Sequence, residues 1–163
     1  MKNLIKKYIL FFLFSSILIF LDQYTKFLAT LNLKNGNVVV IIKNILEFFY
    51  VENDGAAFGI LKGQQYFFYL VTLFVLIGIL IYIYKIPFEK KYIPIWIAIS
   101  MLFSGSIGNF IDRITKRFVV DFIYFKPIDF PVFNVADILI TISCILFIIL
   151  FLFFYREDDI KLI

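Results

Sequence analysis

The chain has 163 residues, of which 63% are hydrophobic, well above the ~45–50% apolar content of a typical soluble domain. A domain of this size has too little interior to bury so much apolar surface, which excludes a water-soluble globule and predicts one membrane-embedded domain over residues 1–163. The net charge of +4 is spread in short clusters between apolar runs, which indicates the flanks of membrane spans and no nucleic-acid partner.

The residue types that are missing also limit the chemistry. The chain has no histidine and a single cysteine, Cys144. Histidine triads, zinc sites with histidine or cysteine ligands, and internal disulfides are therefore excluded. Any catalysis has to use carboxylates, lysines or hydroxyls, and we expect neither a metal nor a cofactor.

Four apolar stretches are long enough to cross a bilayer as helices. They cover residues 8–28, 66–84, 92–111 and 132–155. The first follows Lys2, Lys6 and Lys7, but it is too long for a cleavable signal peptide and has no small-residue cleavage site, so we expect a retained anchor. The same lysines favour both termini in the cytoplasm.

The longest polar interval, residues 32–65, lies between the first two spans. Asn35, Gly36 and Asn37 form a turn signal, and a β-branched run follows at residues 38–42. The interval therefore predicts a small, partly stranded element that lies outside the helix bundle.

Ionisable residues inside an apolar span, or at its rim, need a partner or a purpose. Asp22 and Lys26 are spaced i, i+4 in the favoured order for a helical ion pair, and a structural salt bridge is the simpler explanation. Asn53 and Gly55 belong to a glycine- and alanine-rich turn. That turn is either an ordinary re-entrant turn or a place where the Asn53 amide binds an extended peptide.

The third predicted span ends in a further polar group. Gly105 and Gly108 allow a neighbouring helix to approach closely. Asn109 and Arg113 share a helix face and could together orient a carboxylate. Helix packing with an interfacial arginine explains the same residues equally well.

Two aspartates near the same membrane face are the strongest chemical signal. Asp121 lies between apolar residues in a predicted loop, and Asp137 is expected about one turn inside the fourth span, with Asn134 on the same face. An unpaired carboxylate there is costly. Either Asp137 forms an ion pair with Arg113 or Lys26, or the two aspartates form a dyad in which like charges force one shared proton.

Five motifs occur in order along nearly the whole chain and together resemble the prolipoprotein (type II) signal peptidase family of membrane aspartyl proteases. They are Asp22-Gln-x-Thr-Lys26, Asn53-x-Gly-Ala-Ala-Phe58, Gly108-Asn-x-x-Asp-Arg113, Val119-Val-Asp-Phe122 and Phe133-Asn-x-Ala-Asp137. Each motif alone is weak. Their order in a chain of this length makes the resemblance specific.

The resemblance implies a mainly α membrane protein with four transmembrane helices, a small extracytoplasmic β element and both termini inside. It implies removal of the signal peptide of diacylglyceryl-modified prolipoproteins, N-terminal to the lipidated cysteine, by a monomer in contact with lipid in the bacterial cytoplasmic membrane. The catalytic pair would be Asp121 and Asp137, near the extracytoplasmic face. The implied supporting residues are Asp22, Lys26, Asn53, Gly55, Asn109, Arg113 and Asn134.

Two other functions use some of the same residues. A serine/lysine peptidase could combine Lys26 with Ser104 or Ser106, but it leaves both aspartates unexplained. A small transporter or assembly subunit could use the rim charges as an ion path. A path through the membrane needs polar residues at all depths, whereas here they gather at one rim.

Overall fold

The computed structural model describes residues 2–55 and 61–160, which form a mainly helical chain with one small sheet. The helices are α1 (Lys2–Leu33), α2 (Gln65–Lys85), α3 (Ile93–Lys116), α4 (Val135–Ile149) and α5 (Glu157–Ile160). Short 3-10 turns lie at Lys90–Tyr92 and Lys126–Ile128, and a π-helical turn, Leu150–Phe154, extends α4. The strands are β1 (Val39–Ile42), β2 (Leu46–Asn53) and β3 (Val119–Phe125).

Three helical segments in the described part of the chain are long and apolar enough to cross a membrane. They are residues 65–85, 90–116 and 135–154, at the places of the second, third and fourth predicted spans. A mainly helical, membrane-embedded protein is thereby confirmed. The first predicted span, 8–28, lies inside the 32-residue helix α1, and its crossing of the membrane stays a prediction, as does the count of four.

Helix α3 is central and packs against α1, α2 and α4. A Cβ atom on Gly105 would lie 2.5 Å from the Ala136 carbonyl oxygen and 2.7 Å from Ile140 Cγ1. A Cβ atom on Gly108 would collide with the Asp22 carboxyl group. The close helix approach predicted from these two glycines is confirmed, because no larger side chain fits at either position without movement.

The sheet has the order β1-β2-β3, and both strand pairs are antiparallel. The first two strands confirm the stranded element predicted within residues 32–65. The third corrects a prediction, because Asp121 lies on β3 and not in a loop. Its pairing partner Val51 is 70 positions away in the chain, so nothing local in the sequence reveals the strand.

Two apolar clusters support the ends of the bundle. One is rich in aromatic residues and contains Phe11, Tyr92, Phe103 and Tyr155, with Trp96 packed against it; we call this region the aromatic end. The other lies under the sheet and contains Leu33 and Phe122 among its members. The polar side chains described below lie beside this second cluster, where α1, α3, α4 and the sheet meet.

Candidate active site

Asp121 is held on β3 by two amide side chains. In the antiparallel register Asn53 pairs with Val119, which places Asn53 diagonal to Asp121 on the same sheet face. Asn53 Nδ2 donates to Asp121 Oδ2 at 2.8 Å, and Asn134 Nδ2 donates to Asp121 Oδ1 at 2.6 Å. Burial, as the larger cause, and the nearby charge of Asp137 together raise the pKa of Asp121 to about 7. This carboxyl group can therefore hold a proton at neutral pH.

Asp137 lies in the first turn of α4, within a capping box. Asn134 is the N-cap: its Oδ1 accepts from the Asp137 backbone N–H at 3.0 Å, and Asp137 Oδ2 accepts from the Asn134 backbone N–H at 3.1 Å. Asn109 Nδ2 donates to Asp137 Oδ1 at 2.8 Å. The prediction that Asp137 lies one turn inside a span that starts at residue 132 is wrong, because α4 begins at Val135 and Asp137 is its third residue.

Asn134 joins the two aspartates into one network. Its side-chain amide donates both to Asp121 and to Asn109 Oδ1, the latter at 3.1 Å, while its backbone N–H donates to Asp137. Asn134 is fully buried. A single rigid residue thus positions both carboxyl groups.

A buried lysine lies behind this network. Lys26 Nζ is 2.9 Å from Asp22 Oδ2 and 3.2 Å from Asp112 Oδ2, and all three side chains are fully buried. The predicted pair between Asp22 and Lys26 is confirmed, but it lies in the protein interior. Lys26 also donates to Asn109 Oδ1 at 2.9 Å. Because an ammonium group can only donate, it fixes which end of the Asn109 amide turns towards Asp137.

The two partners of Lys26 reach the backbone next to each aspartate of the pair. Asp22 Oδ1 accepts from the Ala136 backbone N–H at 2.8 Å, one residue before Asp137. Asp112 Oδ2 accepts from the Val120 backbone N–H at 3.1 Å, one residue before Asp121. The triad of Asp22, Lys26 and Asp112 therefore fixes the backbone of β3 beside Asp121 and that of the first turn of α4 beside Asp137.

Sequence reasoning did not select Asp112 as a site residue. The residue belongs to the Gly108–Arg113 motif and lies four positions before Lys116, with which it forms an ion pair at 2.9 Å. A second signal was available, because an aspartate inside an apolar helix requires a buried cation and Lys26 is the candidate.

Arg113 organises the turn after β2. Its Nη2 donates to the Gly55 carbonyl at 3.3 Å, and its guanidinium group lies 4.5 Å from the Phe68 ring centroid. Gly55 N–H in turn donates to Asn53 Oδ1 at 3.0 Å. In the described structure Asn109 is the member of the predicted Asn109–Arg113 pair that bonds to a carboxylate, while Arg113 holds Gly55. The rest of that motif, Ala56 to Phe58, lies outside the described residues.

Both carboxyl groups face a cavity of about 590 Å³. Asn53, Asn109 and Arg113 also line it, and most of its remaining wall is apolar, from α2, α4 and residues 130–133. A buried carboxyl pair beside an apolar cavity can activate water against an amide of an amphiphilic substrate.

Comparison with known proteins assigns the family. The family model described as signal peptidase (SPase) II matches residues 14–153. The chain belongs to the signal peptidase II family. A lipoprotein signal peptidase from Clostridium tetani is 42% identical, with coverage of 86% of this chain and 88% of the relative. One from Geobacillus thermodenitrificans is 41% identical, with coverage of 92% and 94%.

A solved bacterial membrane enzyme has the same fold. It superposes with a TM-score of 0.77 at 37% identity and covers 87% of each chain. The resemblance seen in the sequence motifs is therefore confirmed, and the family is one of proteases that act in the membrane.

The serine/lysine alternative loses its base within this signal peptidase II fold. Lys26 already contacts two carboxylates and an amide oxygen, so its donors are directed at those groups. Ser104 is fully buried and its hydroxyl donates to the Ser100 carbonyl at 2.6 Å. Ser106 lines the large cavity. Neither serine is bonded to Lys26.

Proposed function

We propose that this chain is a membrane aspartyl endopeptidase that removes the signal peptide from diacylglyceryl-modified bacterial prolipoproteins, on the N-terminal side of the lipidated cysteine. The observation that carries the proposal is the network that joins Asp121 and Asp137 through Asn134, beside a largely apolar cavity. The family membership and the relatives named lipoprotein signal peptidases support the substrate class.

The surroundings of the two aspartates suggest different protonation states. Asp121 carries the shared proton, because burial raises its pKa to about 7. Asp137 is the ionised partner, since its two oxygens accept hydrogen bonds from Asn109 and Asn134 at the N-terminus of α4, where the helix dipole favours negative charge. Opposite roles of this kind are what a general acid and a general base require.

The reaction then proceeds without a covalent intermediate. Asp137 takes a proton from a water molecule as the water oxygen bonds to the scissile carbonyl carbon, while Asp121 gives its proton to the carbonyl oxygen. When the tetrahedral species collapses, the C–N bond breaks and the leaving nitrogen takes the proton held by Asp137. Asp121 recovers its proton from the hydroxyl that becomes the new carbonyl, so both carboxyl groups return to their starting states.

The cavity wall fits the lipidated part of such a substrate. Val71 and Val75 of α2 and Ile138 and Ile142 of α4 line the cavity, which offers an apolar path for acyl chains. The amide and carboxyl groups lie at the sheet, where a peptide would lie. We assign Gly55, held by Arg113, to the part of the site that covers the peptide backbone.

The proposal also includes the location of the site. We place the chain in the bacterial cytoplasmic membrane as a single-domain monomer, with four spans, both termini in the cytoplasm and the aspartates near the extracytoplasmic face. No metal or cofactor takes part in the reaction as written. The lysines before the first span support this orientation.

A cleavage assay tests the function. The purified protein in detergent is incubated with a diacylglyceryl-modified prolipoprotein, and we expect release of the signal peptide; the unmodified precursor should remain intact. Equal cleavage of both precursors would refute the lipid requirement, and cleavage of neither would refute the activity.

Cysteine labelling tests the orientation. In a Cys144→Ser background, Lys34→Cys and Lys126→Cys should react with an impermeant thiol reagent in intact cells, because both side chains are about half exposed at 54% and 45%. Lys90→Cys, at the other end of the bundle, should not react. Labelling of Lys90→Cys alone would invert the proposed orientation.

A further inference from the structure

A second cavity lies at the aromatic end, away from the aspartates. Its volume is about 330 Å³, and it opens between the first turns of α1 and the start of α3. Lys7 on its rim is 15 residues before Asp22 in the same helix, which corresponds to a separation of about 22 Å along the axis. This cavity is therefore distinct from the one that holds the aspartates.

The rim of the second cavity has two lysines. Lys7 is only 8% exposed; its Nζ donates to the Ile86 carbonyl at 2.6 Å and lies 5.4 Å from the ring centroid of Trp96. Lys90 is exposed on the same rim, beside one acid, Glu89. Within the described part of the chain neither lysine forms an ion pair.

The environment of Lys7 differs from that of Lys26, the other buried lysine among the described residues. Lys26 is neutralised by two carboxylates. Lys7 is almost as buried, but its partners among the described residues are neutral: the carbonyl oxygens of Ile86 and Tyr84 and the face of Trp96. A buried ammonium group without a carboxylate attracts an anion, and Lys90 adds a second positive charge at the same place.

The cavity changes from charged to apolar along its length. From Lys7 the wall continues through Leu10 to Phe14 on α1, over about 10 Å, and through Ile93 to Ile97 on α3. Trp96 lies near the charged end, beside Lys7, and tryptophan is the residue type enriched at membrane–water interfaces. A positively charged mouth with an apolar track directed into the bundle has the same polarity as a phospholipid.

We propose that this cavity binds one anionic phospholipid of the surrounding membrane. The phosphate lies between Lys7 and Lys90, and one acyl chain follows the track to Phe14 and Ile97. Charge complementarity selects an anionic headgroup, since two cations face a single acid at the rim.

The chain carries its own probe, because Trp96 is its only tryptophan. The full-length protein is reconstituted in vesicles of dioleoylphosphatidylcholine that contain increasing fractions of acyl-brominated phosphatidylglycerol or acyl-brominated phosphatidylcholine, and quenching of Trp96 fluorescence is recorded. We expect the brominated anionic lipid to quench at several-fold lower mole fraction than the brominated zwitterionic lipid.

Variants separate the site from the general attraction of a basic protein. Lys90→Gln should reduce the preference for the anionic lipid about five-fold, and Lys7→Gln by at least as much. Glu89→Gln should increase the preference, because it removes the repelling charge. Lys43→Gln, which removes one exposed charge in the turn between β1 and β2, is the matched control and should leave the preference unchanged.

The outcomes decide the proposal. Equal quenching by the two brominated lipids in the unmodified protein would overturn it. A preference for the anionic lipid that Lys90→Gln leaves intact would also overturn it, because Lys90 would then take no part in binding. An equal reduction by Lys43→Gln would overturn it too, because the attraction would then come from net charge. Lys90 is exposed, so its replacement tests the site even if Lys7→Gln disturbs folding.

Discussion

The two ends of the helix bundle are built from different interactions. At the end near the sheet, Asp22 and Asp112 are fully buried and both pair with the buried Lys26, and the three support a buried pair of aspartates. At the aromatic end, buried apolar side chains dominate, and the ion pair between Lys91 and Asp159 is partly exposed. One end is built for chemistry and the other for packing in lipid.

The comparison shows what a buried charge network is for in this protein. Burial of charges costs free energy that aliphatic packing does not, and at the aromatic end most of the buried side chains are apolar. The network at the sheet end is kept because its members hold the backbone at Ala136 and Val120, next to Asp137 and Asp121. The following experiments test this difference, from the largest expected effect to the smallest.

Replacement of the aspartates should give the largest effect. Asp121→Asn and Asp137→Asn keep size and hydrogen bonding but remove acid–base chemistry, so each should lower kcat/KM for the lipidated precursor about 10³-fold. The double variant should be no worse than either single one, because the groups act as a unit. Asp159→Asn at the aromatic end is the control and should retain turnover.

The same assay can contradict the assignment. If Asp121→Asn or Asp137→Asn turns over the precursor while Ser104→Ala or Ser106→Ala is inactive, the serine/lysine mechanism takes its place.

Removal of a lysine should cost much more stability at the sheet end than at the aromatic end. Lys26→Met leaves the buried Asp22 carboxylate without a cation and takes one of two cations from Asp112, so it should destabilise the protein by about 3–5 kcal/mol. Lys91→Met breaks a pair whose lysine side chain is 47% exposed and should cost about 1 kcal/mol or less. Thermal unfolding in detergent, followed by loss of the monomer peak in gel filtration, measures both. Similar losses for the two variants would contradict the distinction.

Glycine replacements test the close packing of α3 near the network. Gly105→Ala should destabilise the protein by about 1–3 kcal/mol, since the new methyl group meets Ala136 and Ile140. Gly78→Ala on α2 is the matched control, because nothing lies within 4 Å of its Cβ position, and it should stabilise the helix by about 0.5–1 kcal/mol. The same unfolding assay applies, and equal effects would show that α3 tolerates the larger residue.

Over one pH unit, the pH dependence should be a smaller effect on turnover than the replacement of either aspartate. Because the pKa of Asp121 is about 7, the protonated fraction falls as pH rises through 7, and kcat/KM should decrease about tenfold per pH unit above that value. Between pH 3.8 and about 7 the folded chain holds a proton that the unfolded chain releases, so this group lowers stability as pH rises.

At the aromatic end, Asp159 makes the protein more stable as pH rises, which is the opposite of the effect of Asp121. The hydrogen bond from Lys91 lowers its pKa, so its contribution to stability is present above the unfolded value of 3.8 and is lost as pH falls below it.

Asp121→Asn tests the two pH effects together. It should remove the loss of stability between pH 3.8 and 7 and leave unchanged the loss of stability below pH 3.8. A rate that continues to increase above pH 8 would contradict the role of Asp121 as the acid.

Several features could be predicted from the sequence alone. The second, third and fourth predicted spans indicate membrane helices by their length, because a bilayer core requires about 20 apolar residues per helix. The Asp22–Lys26 pair follows from local spacing along α1. The close helix approach at Gly105 and Gly108 follows from local spacing along α3. The family follows from five short motifs in order. These signals are local, so the linear sequence contains them.

Other features were decided only by the tertiary structure. Asp121 lies on a strand because β2, far away in the chain, pairs with it, and Asp112 enters the site because α1 places Lys26 beside it. Asn134 bonds to Asp121 and Asn109 because the chain between β3 and α4 folds back, with Phe133 paired to Ile123. Hydrogen bonds between distant segments depend on which elements pack together. No local pattern of residues encodes that choice.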